Sequence, residues 1–381
     1  MKVLHILPSL TRAWGGPVTV VENLTSALSA DGVACTVIAA TGGRVGSDAV
    51  SIPGVSTTLF PLSFFGRFWT GHSLSSSNWI NEHIRGFDVV HIHELWNHLH
   101  YAGAKAARGY GIPYIISPCG ELGDWELAQK RLKKRVFMAL SQRETLQKAS
   151  AIQALTRAEE TSIKRQGISV PIHVIPNGVS PINLHDHDTS NIEKLFRELQ
   201  PGPKILFLGR LHLKKGVDLL FETLARVLEF RPSATLIIAG PDEDGSGSKL
   251  LRRFQQSATN PVHYRFVGAI GSAEARMALR LSDIYVQPSR SEGFSMSTLE
   301  AICEGTPSVI TTGCNFDEIE SDGAGKVVAP DPIELADAII KVIRDPEAAR
   351  VMSANAISLA SRYSWQTVSR RVAGLYESVV S

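Results

Sequence analysis

Two carboxylates, Glu292 and Glu300, stand with seven residues between them in Ser-Arg-Ser-Glu-Gly-Phe-Ser-Met-Ser-Thr-Leu-Glu-Ala, residues 289–301. One acid on a loop and a second about two turns into a helix can hold hydroxyl groups on either side of a phosphate. The phosphate suits the helix start, where unpaired N–H groups and the positive dipole end gather. Upstream, Arg210 and Lys215 lie in Gly-Arg-Leu-His-Leu-Lys-Lys-Gly, residues 209–216. Two cations there neutralise a diphosphate, Arg through a bidentate fork and Lys as a point charge. A cation at a helix start is unfavourable unless an anion answers it. The plain alternative is two solvated surface charges. Together these groups describe a diphosphate carrying a polyol, the shape of a nucleotide-sugar.

The surrounding elements must place such groups at the carboxyl ends of parallel strands, where open α/β sheets bind ligands. Ile284–Val286 reads as an apolar strand closed by Pro288, and Ser308–Thr312 as the next strand after Gly305 and Pro307. Ile205–Leu208 precedes the Arg210 loop. Strand patterns at Val3–Leu7, Ala34–Ala39, Val89–His93, Tyr114–Ser117, Ala151–Ala154 and His173–Ile175 alternate with helical ones, among them Val18–Ala30 and one long helix, Trp125–Ala149. The second half repeats the scheme, with strands also at Thr235–Ile238, His263–Phe266 and Lys326–Val328. This alternation predicts two doubly wound parallel sheets. Pro176-Asn177-Gly178-Val179 is turn chemistry, and the polar run Ser180–Asn191 reads as the linker.

The chain has 381 residues, 44% of them hydrophobic, enough for two cores. Its net charge is +2, divided as +5 over residues 1–180 and −3 over the remainder. That is too even for a nucleic-acid partner. No apolar run reaches the length of a membrane span. The start, Met1 to Pro8, reads as a strand rather than a signal peptide. Cys35, Cys119, Cys303 and Cys314 show no paired spacing, so a reduced, cytoplasmic compartment is expected.

The stretch Glu292-Gly-Phe-Ser-Met-Ser-Thr-Leu-Glu300-Ala resembles the paired-glutamate signature of retaining glycosyltransferases of family 4. The Gly209–Gly216 loop is similar to that family's Gly-Arg-Leu-x-x-x-Lys-Gly. Trp14-Gly15-Gly16-Pro17 is similar to its amino-terminal glycine loop, and Tyr363-Ser364-Trp365 to its closing helix. The resemblance covers nearly the whole chain. It implies a GT-B α/β fold: two Rossmann-like doubly wound domains facing a central cleft. The expected boundaries are 1–180 for the acceptor domain and 181–361 for the donor domain. A final helix, 362–381, is expected to return to the first.

It implies metal-independent transfer of a hexose, with retention, from a UDP-linked donor such as UDP-glucose to a sugar or lipid-linked glycan, in a setting such as bacterial polysaccharide assembly. No cofactor is implied beyond the donor substrate. Catalysis would fall to Arg210, Lys215, Glu292 and His93. Donor contacts would come from Gly16, Arg210, Lys215, Gly268, Ile270, Glu292, Gly293, Phe294, Ser295, Met296, Ser297 and Glu300. For Gly16 the ordinary alternative is a strand-to-helix turn; for Glu300, a helix-surface acid. Two rival readings stay open: a GT-B nucleotide-sugar epimerase and a non-catalytic nucleotide-sugar-binding protein.

Relatives place a histidine just after the strand that here is Tyr114–Ser117; this chain has Cys119. A thiol copies neither the charge nor the geometry of an imidazolium. Nothing beside Cys119 in sequence would activate it as a nucleophile. His93 or Glu94 is expected to face the acceptor, with Cys119 beside it; a hydrogen-bonded wall is the bland alternative. His91, His93, His98 and His100 do not fit a zinc spacing. Asp242-Glu243-Asp244-Gly245 has the opening of a calcium loop, but its twelfth position is Arg253. No Gly-x-Gly-x-x-Gly follows the first strand.

Residues 129–148 carry seven Lys and Arg against one acid, Glu144, with Val136, Phe137, Leu140 and Leu146 as an apolar stripe. Residues 64–69 are aromatic-rich. Both segments suit peripheral contact with the inner face of an anionic membrane, where a lipid-linked acceptor would sit. The alternative is a solvated helix face beside a packed loop.

Overall fold

A computed structural model describes residues 1–41, 50–64, 69–257 and 259–380. The chain divides into two compact units. Unit 1 joins Met1–Gly178 to Trp365–Ser381, and unit 2 is Val179–Ser364. The sequence reading sets these boundaries at 180/181 and 361/362.

Unit 1 holds seven parallel strands: β1 (Lys2–Ser9), β2 (Ala34–Thr41), β3 (Ser56–Pro61), β4 (Val89–His93), β5 (Tyr114–Ser117), β6 (Ala151–Ala154) and β7 (Ile172–Val174), in spatial order β3-β2-β1-β4-β5-β6-β7. Unit 2 holds six: β8 (Lys204–Leu208), β9 (Thr235–Ala239), β10 (Tyr264–Gly268), β11 (Ile284–Gln287), β12 (Ser308–Thr311) and β13 (Gly325–Val328), in order β10-β9-β8-β11-β12-β13. The order reverses between β1 and β4 and again between β8 and β11. Those two points are where doubly wound sheets leave a crevice at their carboxyl ends.

The inner strands are buried on both faces, so they read as continuous apolar runs. In β1, Leu4 and Ile6 join one core with Ile38, Val90, Ile92 and Ile116. Val3 and Leu7 point to the opposite face. The last helix, Trp365–Val380, packs on that opposite face through Trp365, Val368, Val372, Leu375 and Tyr376, all buried. Fully burying each of these is worth about 1.5–3 kcal/mol. Gly178 permits the docking: a Cβ there would lie 2.5 Å from Cδ2 of Trp365.

Three elements differ from the sequence reading. β3 falls in a stretch read as loop. Helix Ser190–Glu198 begins inside the expected linker. The expected helix Trp125–Ala149 is broken into Asp124–Ala128, Arg131–Phe137, a π-turn at Met138–Gln142 and Arg143–Gln147. Lys130, with φ +49, sits at the first break. Lys134 turns inward there, donating to the Glu126 carbonyl at 2.5 Å. It lies over the Trp96 ring at 5.4 Å.

Candidate functional site

In unit 2 the loops after β8 and β11 meet at the switch point. Gly216, at φ +68, lets them touch: a Cβ there would stand 1.9 Å from the Pro288 carbonyl oxygen. Arg290 ties them further. Its guanidinium grips Asp218 bidentately at 2.6 and 2.7 Å, and its N–H donates to the Lys214 carbonyl at 2.8 Å. The result brings Lys215 to Glu292, Nζ to Oε1 at 2.5 Å, with the side chains 16% and 8% exposed.

Behind Glu292 runs a directed hydrogen-bond chain. Ser289 Oγ donates to Glu292 Oε1 at 2.7 Å, and Gln287 Nε2 donates to Ser289 Oγ at 2.7 Å. Gln287 Oε1 can only accept, so it takes the Tyr285 proton at 2.6 Å. Tyr285 then accepts from Ser297 Oγ, 2.8 Å away on the next helix. Asn315 Nδ2 holds the Glu292 carbonyl at 2.8 Å. All the side-chain donors converge on Oε1. Oε2 has no hydrogen-bond partner among the described residues, which leaves it for a ligand hydroxyl.

Helix Met296–Cys303 follows, capped by Ser295, whose Oγ accepts from the Thr298 N–H at 3.4 Å. Gly293, Phe294, Ser295, Met296 and Ser297 thus line the approach to a helix N-terminus beside a fixed carboxylate. Glu300 stands farther along this helix. Burial pushes its carboxyl up, and the Arg276 charge opposes that. Arg276 itself is buried against Glu304.

Two expected donor groups lie apart from this cluster. Arg210 pairs with Glu243 at 3.2 Å on the surface, so a diphosphate would have to replace that carboxylate. Gly268, φ +79, ends β10, and its carbonyl accepts from the Gly240 N–H at 2.7 Å; Ile270 follows, half-buried.

In unit 1, Gly15 (φ +84) and Gly16 open helix Gly16–Ala30, and a Cβ on Gly16 would meet nothing within 4 Å. His93 lies buried, its Nε2 3.1 Å from His5 Nδ1. Burial lowers its pKa to about 3, so it stays neutral. His5, which sequence reading missed, pairs with His91 across β1 and β4, and His93 follows on the same face. The ring nitrogens of these three lie within 4.8 Å of one another.

His91, however, is engaged on both nitrogens. Ser117 Oγ gives its proton to Gln153 Oε1, so it must accept from His91 Nε2, 2.7 Å away. Nδ1 then accepts from the Tyr376 hydroxyl at 2.7 Å. A metal ion there would have to break that chain. His98 and His100 stand elsewhere, at the start of helix His98–Tyr110.

Cys119 has φ +55 and donates to the Ser117 carbonyl at 3.3 Å. Burial, then the charges of Glu94, Glu159 and Glu121, hold its thiol well above the usual range. Glu94 accepts from Trp14 Nε1 at 2.9 Å. Glu121 and Glu159 cap backbone N–H groups of Leu95, Leu155 and Gly120. Sequence reading gave no site role to Tyr285, Gln287, Ser289, Asn315 or Trp14, although Ser289 and Trp14 stand in the motifs it quoted. Gln287 and Ser289 did carry a signal, being polar residues at the end of an apolar strand.

Comparison with known proteins matches this arrangement to two family models. Residues 190–359 match the glycosyl transferases group 1, and residues 15–178 the glycosyl transferase 4-like domain. The sucrose-phosphate synthase structure from Thermosynechococcus elongatus superposes with TM-score 0.78 and 19% identity, over 100% of this chain and 99% of that one. Anabaena Alr3699/HepE, solved in complex with UDP and glucose, gives TM-score 0.77 and 19% identity, over 99% and 100%.

In sequence, glycogen synthase of Mycobacterium tuberculosis is 30% identical over 299 residues, 76% of this chain and 68% of that protein. Phosphatidyl-myo-inositol mannosyltransferase of Mycobacterium leprae is 30% identical over 211 residues, 54% of each. The match thus spans about half the length of the mannosyltransferase relative. The fold is the two-domain GT-B fold. The chain belongs to the family 4-type glycosyltransferases.

Proposed function

We infer that the chain transfers a hexose, with retention, from a nucleotide-diphosphate sugar to a hydroxyl of a glycan or lipid-linked glycan. The observation that carries this is the Lys215–Glu292 pair, with one carboxylate oxygen held by Lys215, Ser289 and Gln287 and the other open. In this reading Glu292 Oε2 binds a hydroxyl of the donor sugar. The start of helix Met296–Cys303 and Lys215 take the diphosphate, Arg210 joins after leaving Glu243, and Glu300 takes the ribose hydroxyls.

The acceptor oxygen attacks the anomeric carbon on the face from which the diphosphate leaves. The carbon–oxygen bond to phosphate breaks as the new glycosidic bond forms, and the acceptor proton passes to the leaving phosphate. Fixed cations stabilise the charge that phosphate gains. UDP-glucose is the donor to try first, by analogy with the HepE complex.

An acceptor at a membrane surface fits the exposed residues Leu132, Val136 and Leu140, at 78%, 54% and 79% exposure, flanked by Arg131, Lys133 and Arg135; of the expected stripe, Leu146 is instead buried in the core and Phe137 is half-buried. The second segment expected to touch the membrane, 64–69, falls mostly on residues 65–68, outside the described residues. No helix among the described residues is long and apolar enough to cross a membrane.

Calorimetric titration with UDP tests the donor assignment. Lys215→Ala and Arg210→Ala should each weaken binding by about 1.5–3 kcal/mol, the scale of a lost charged hydrogen bond. Unchanged affinity in both variants overturns the assignment. The anomeric configuration of the product, read by NMR, tests retention.

A further inference from the structure

At the switch point of unit 1, a hydrogen bond from Trp14 Nε1 to Glu94 Oε2 at 2.9 Å joins the loops after β1 and β4. Trp14 stays 41% exposed. Glu94 has φ +63 and Trp96 has φ +57, and Cys119 beyond the neighbouring strand has φ +55. Non-glycine residues in that region cost about 1–3 kcal/mol each and persist where surrounding structure over-determines them. Here it does: the Glu94 N–H donates to the Ser117 carbonyl at 2.9 Å, and the Glu94 carbonyl accepts from His100 Nδ1 at 3.0 Å. The backbone is bent to present this side chain. Glu94 Oε1 has no hydrogen-bond partner among the described residues. Nearby, Trp96 Nε1 and His100 Nε2 are buried and also lack one.

We propose that Trp14 and Glu94 form the subsite for the acceptor, a neutral pyranose, with the indole as a flat platform for the C–H face of the ring and the carboxyl as partner to one ring hydroxyl. This deepens the glycosyltransferase reading and rests on it. A hydroxyl both donates and accepts, and a carboxyl near its titration point can answer either way. The indole N–H, donated to that carboxyl, fixes the platform before the sugar arrives, which lowers the ordering cost of binding. Glu121 stands close enough to Glu94 to feel its charge, so an anionic sugar is disfavoured there. The residues also separate the two tasks: unit 2 carries the cations for a diphosphate, whereas Arg12, the cation nearest Trp14 in sequence, is already paired with Glu22 at 2.6 Å.

The test uses saturation-transfer NMR on the full chain, with the α and β methyl glycosides of glucose, mannose and galactose as probes and UDP titrated alongside. At least one glycoside should receive saturation from the wild type. Trp14→Ala should weaken that glycoside about tenfold, Trp14→Tyr should restore most of the loss, and Glu94→Gln should weaken it by a similar factor. Thermal melts report that each variant is folded. If no glycoside binds while UDP does, the subsite is overturned and the glycosyltransferase reading survives. If glycoside binding is unchanged in both Trp14→Ala and Glu94→Gln, the sugar sits elsewhere and the proposal fails. If the wild type does not bind UDP, the donor reading falls on its own.

Discussion

Replacing Lys215 by Met would strand Glu292. The pair is short, 2.5 Å, and the carboxylate side chain is only 8% exposed. What remains on Oε1 is one good neutral donor, Ser289 at 2.7 Å, and a long one, Gln287 at 3.4 Å. Deleting one partner of a buried ion pair costs about 3–5 kcal/mol. The surviving hydroxyl offsets about 1 kcal/mol of that. Lys215→Met should therefore destabilise unit 2 by about 2–4 kcal/mol, and Glu292→Gln by a similar amount. The double variant buries no lone charge, so its cost should fall short of the sum by about 2 kcal/mol. In a unit of this length, each kcal/mol lowers Tm by about 2–4 °C, so each single variant should melt about 5–15 °C lower. Urea unfolding of the four proteins measures the cycle. Single-variant costs that add to within about 0.5 kcal/mol would refute the reasoning, because the two groups would then be independent.

Gly216→Ala places a Cβ 1.9 Å from the Pro288 carbonyl at φ +68, so a loss of more than about 3 kcal/mol is expected on thermal denaturation. Gly16→Ala meets nothing within 4 Å and should melt like the wild type, so any fall in transfer it causes isolates a ligand contact. Stability should peak near pH 6.5. Burial lowers His5 and His91 well below the ordinary 6.5, His93 to about 3 and His100 to about 4; their contribution is full above 6.5 and is lost as pH falls toward the folded values. Glu94 and Glu159, pushed by burial from 4.5 to about 7, run the opposite way: theirs is full below 4.5 and lost as pH rises through 7. Urea midpoints at pH 4, 6.5 and 8 check this, and a midpoint at pH 4 equal to that at 6.5 would refute it.

Strand positions were legible because a parallel strand buried on both faces leaves an unbroken apolar run, as in Leu206-Phe207-Leu208 or Ile284-Tyr285-Val286. β3 was not. Its sequence, Ser-Thr-Thr-Leu-Phe-Pro, is half polar because it is an edge strand with only Phe60 buried. The break at Lys130 was hidden for a different reason: the composition of 125–149 is helical throughout, and the kink follows from tertiary contacts of Lys134 with Glu126 and Trp96. Glu292 and Lys215 were legible as types and spacing. Their pairing was not, because the register between two loops 77 residues apart is set by Gly216 against Pro288 and by Arg290 on Asp218. The same limit hid the pairing of Trp14 with Glu94, which only the adjacency of β1 and β4 brings within 2.9 Å.

Glu300 apart, whose carboxyl burial also raises, the two units treat buried acids in opposite ways, and that contrast bears on what each can hold. In unit 2, Glu292 is answered by Lys215, and Glu304 by Arg276 and Arg280. Charge is balanced by charge, as a site must do if it exchanges one anion for another. In unit 1, Glu94, Glu121 and Glu159 are met by an indole and by backbone N–H groups, and burial raises all three carboxyls. His93 and Cys119, the two groups placed to replace a family histidine, are both held neutral by burial. Neither group then offers a fixed positive charge to a leaving phosphate. On the proposed reading this crevice orients neutral hydroxyls, and stabilisation of the departing diphosphate falls to Lys215, Arg210 and the helix start after Ser295. Cys119→His tests that division: burial should keep an imidazole there neutral as it keeps His93, so an NMR titration showing it protonated at pH 7 would overturn the contrast.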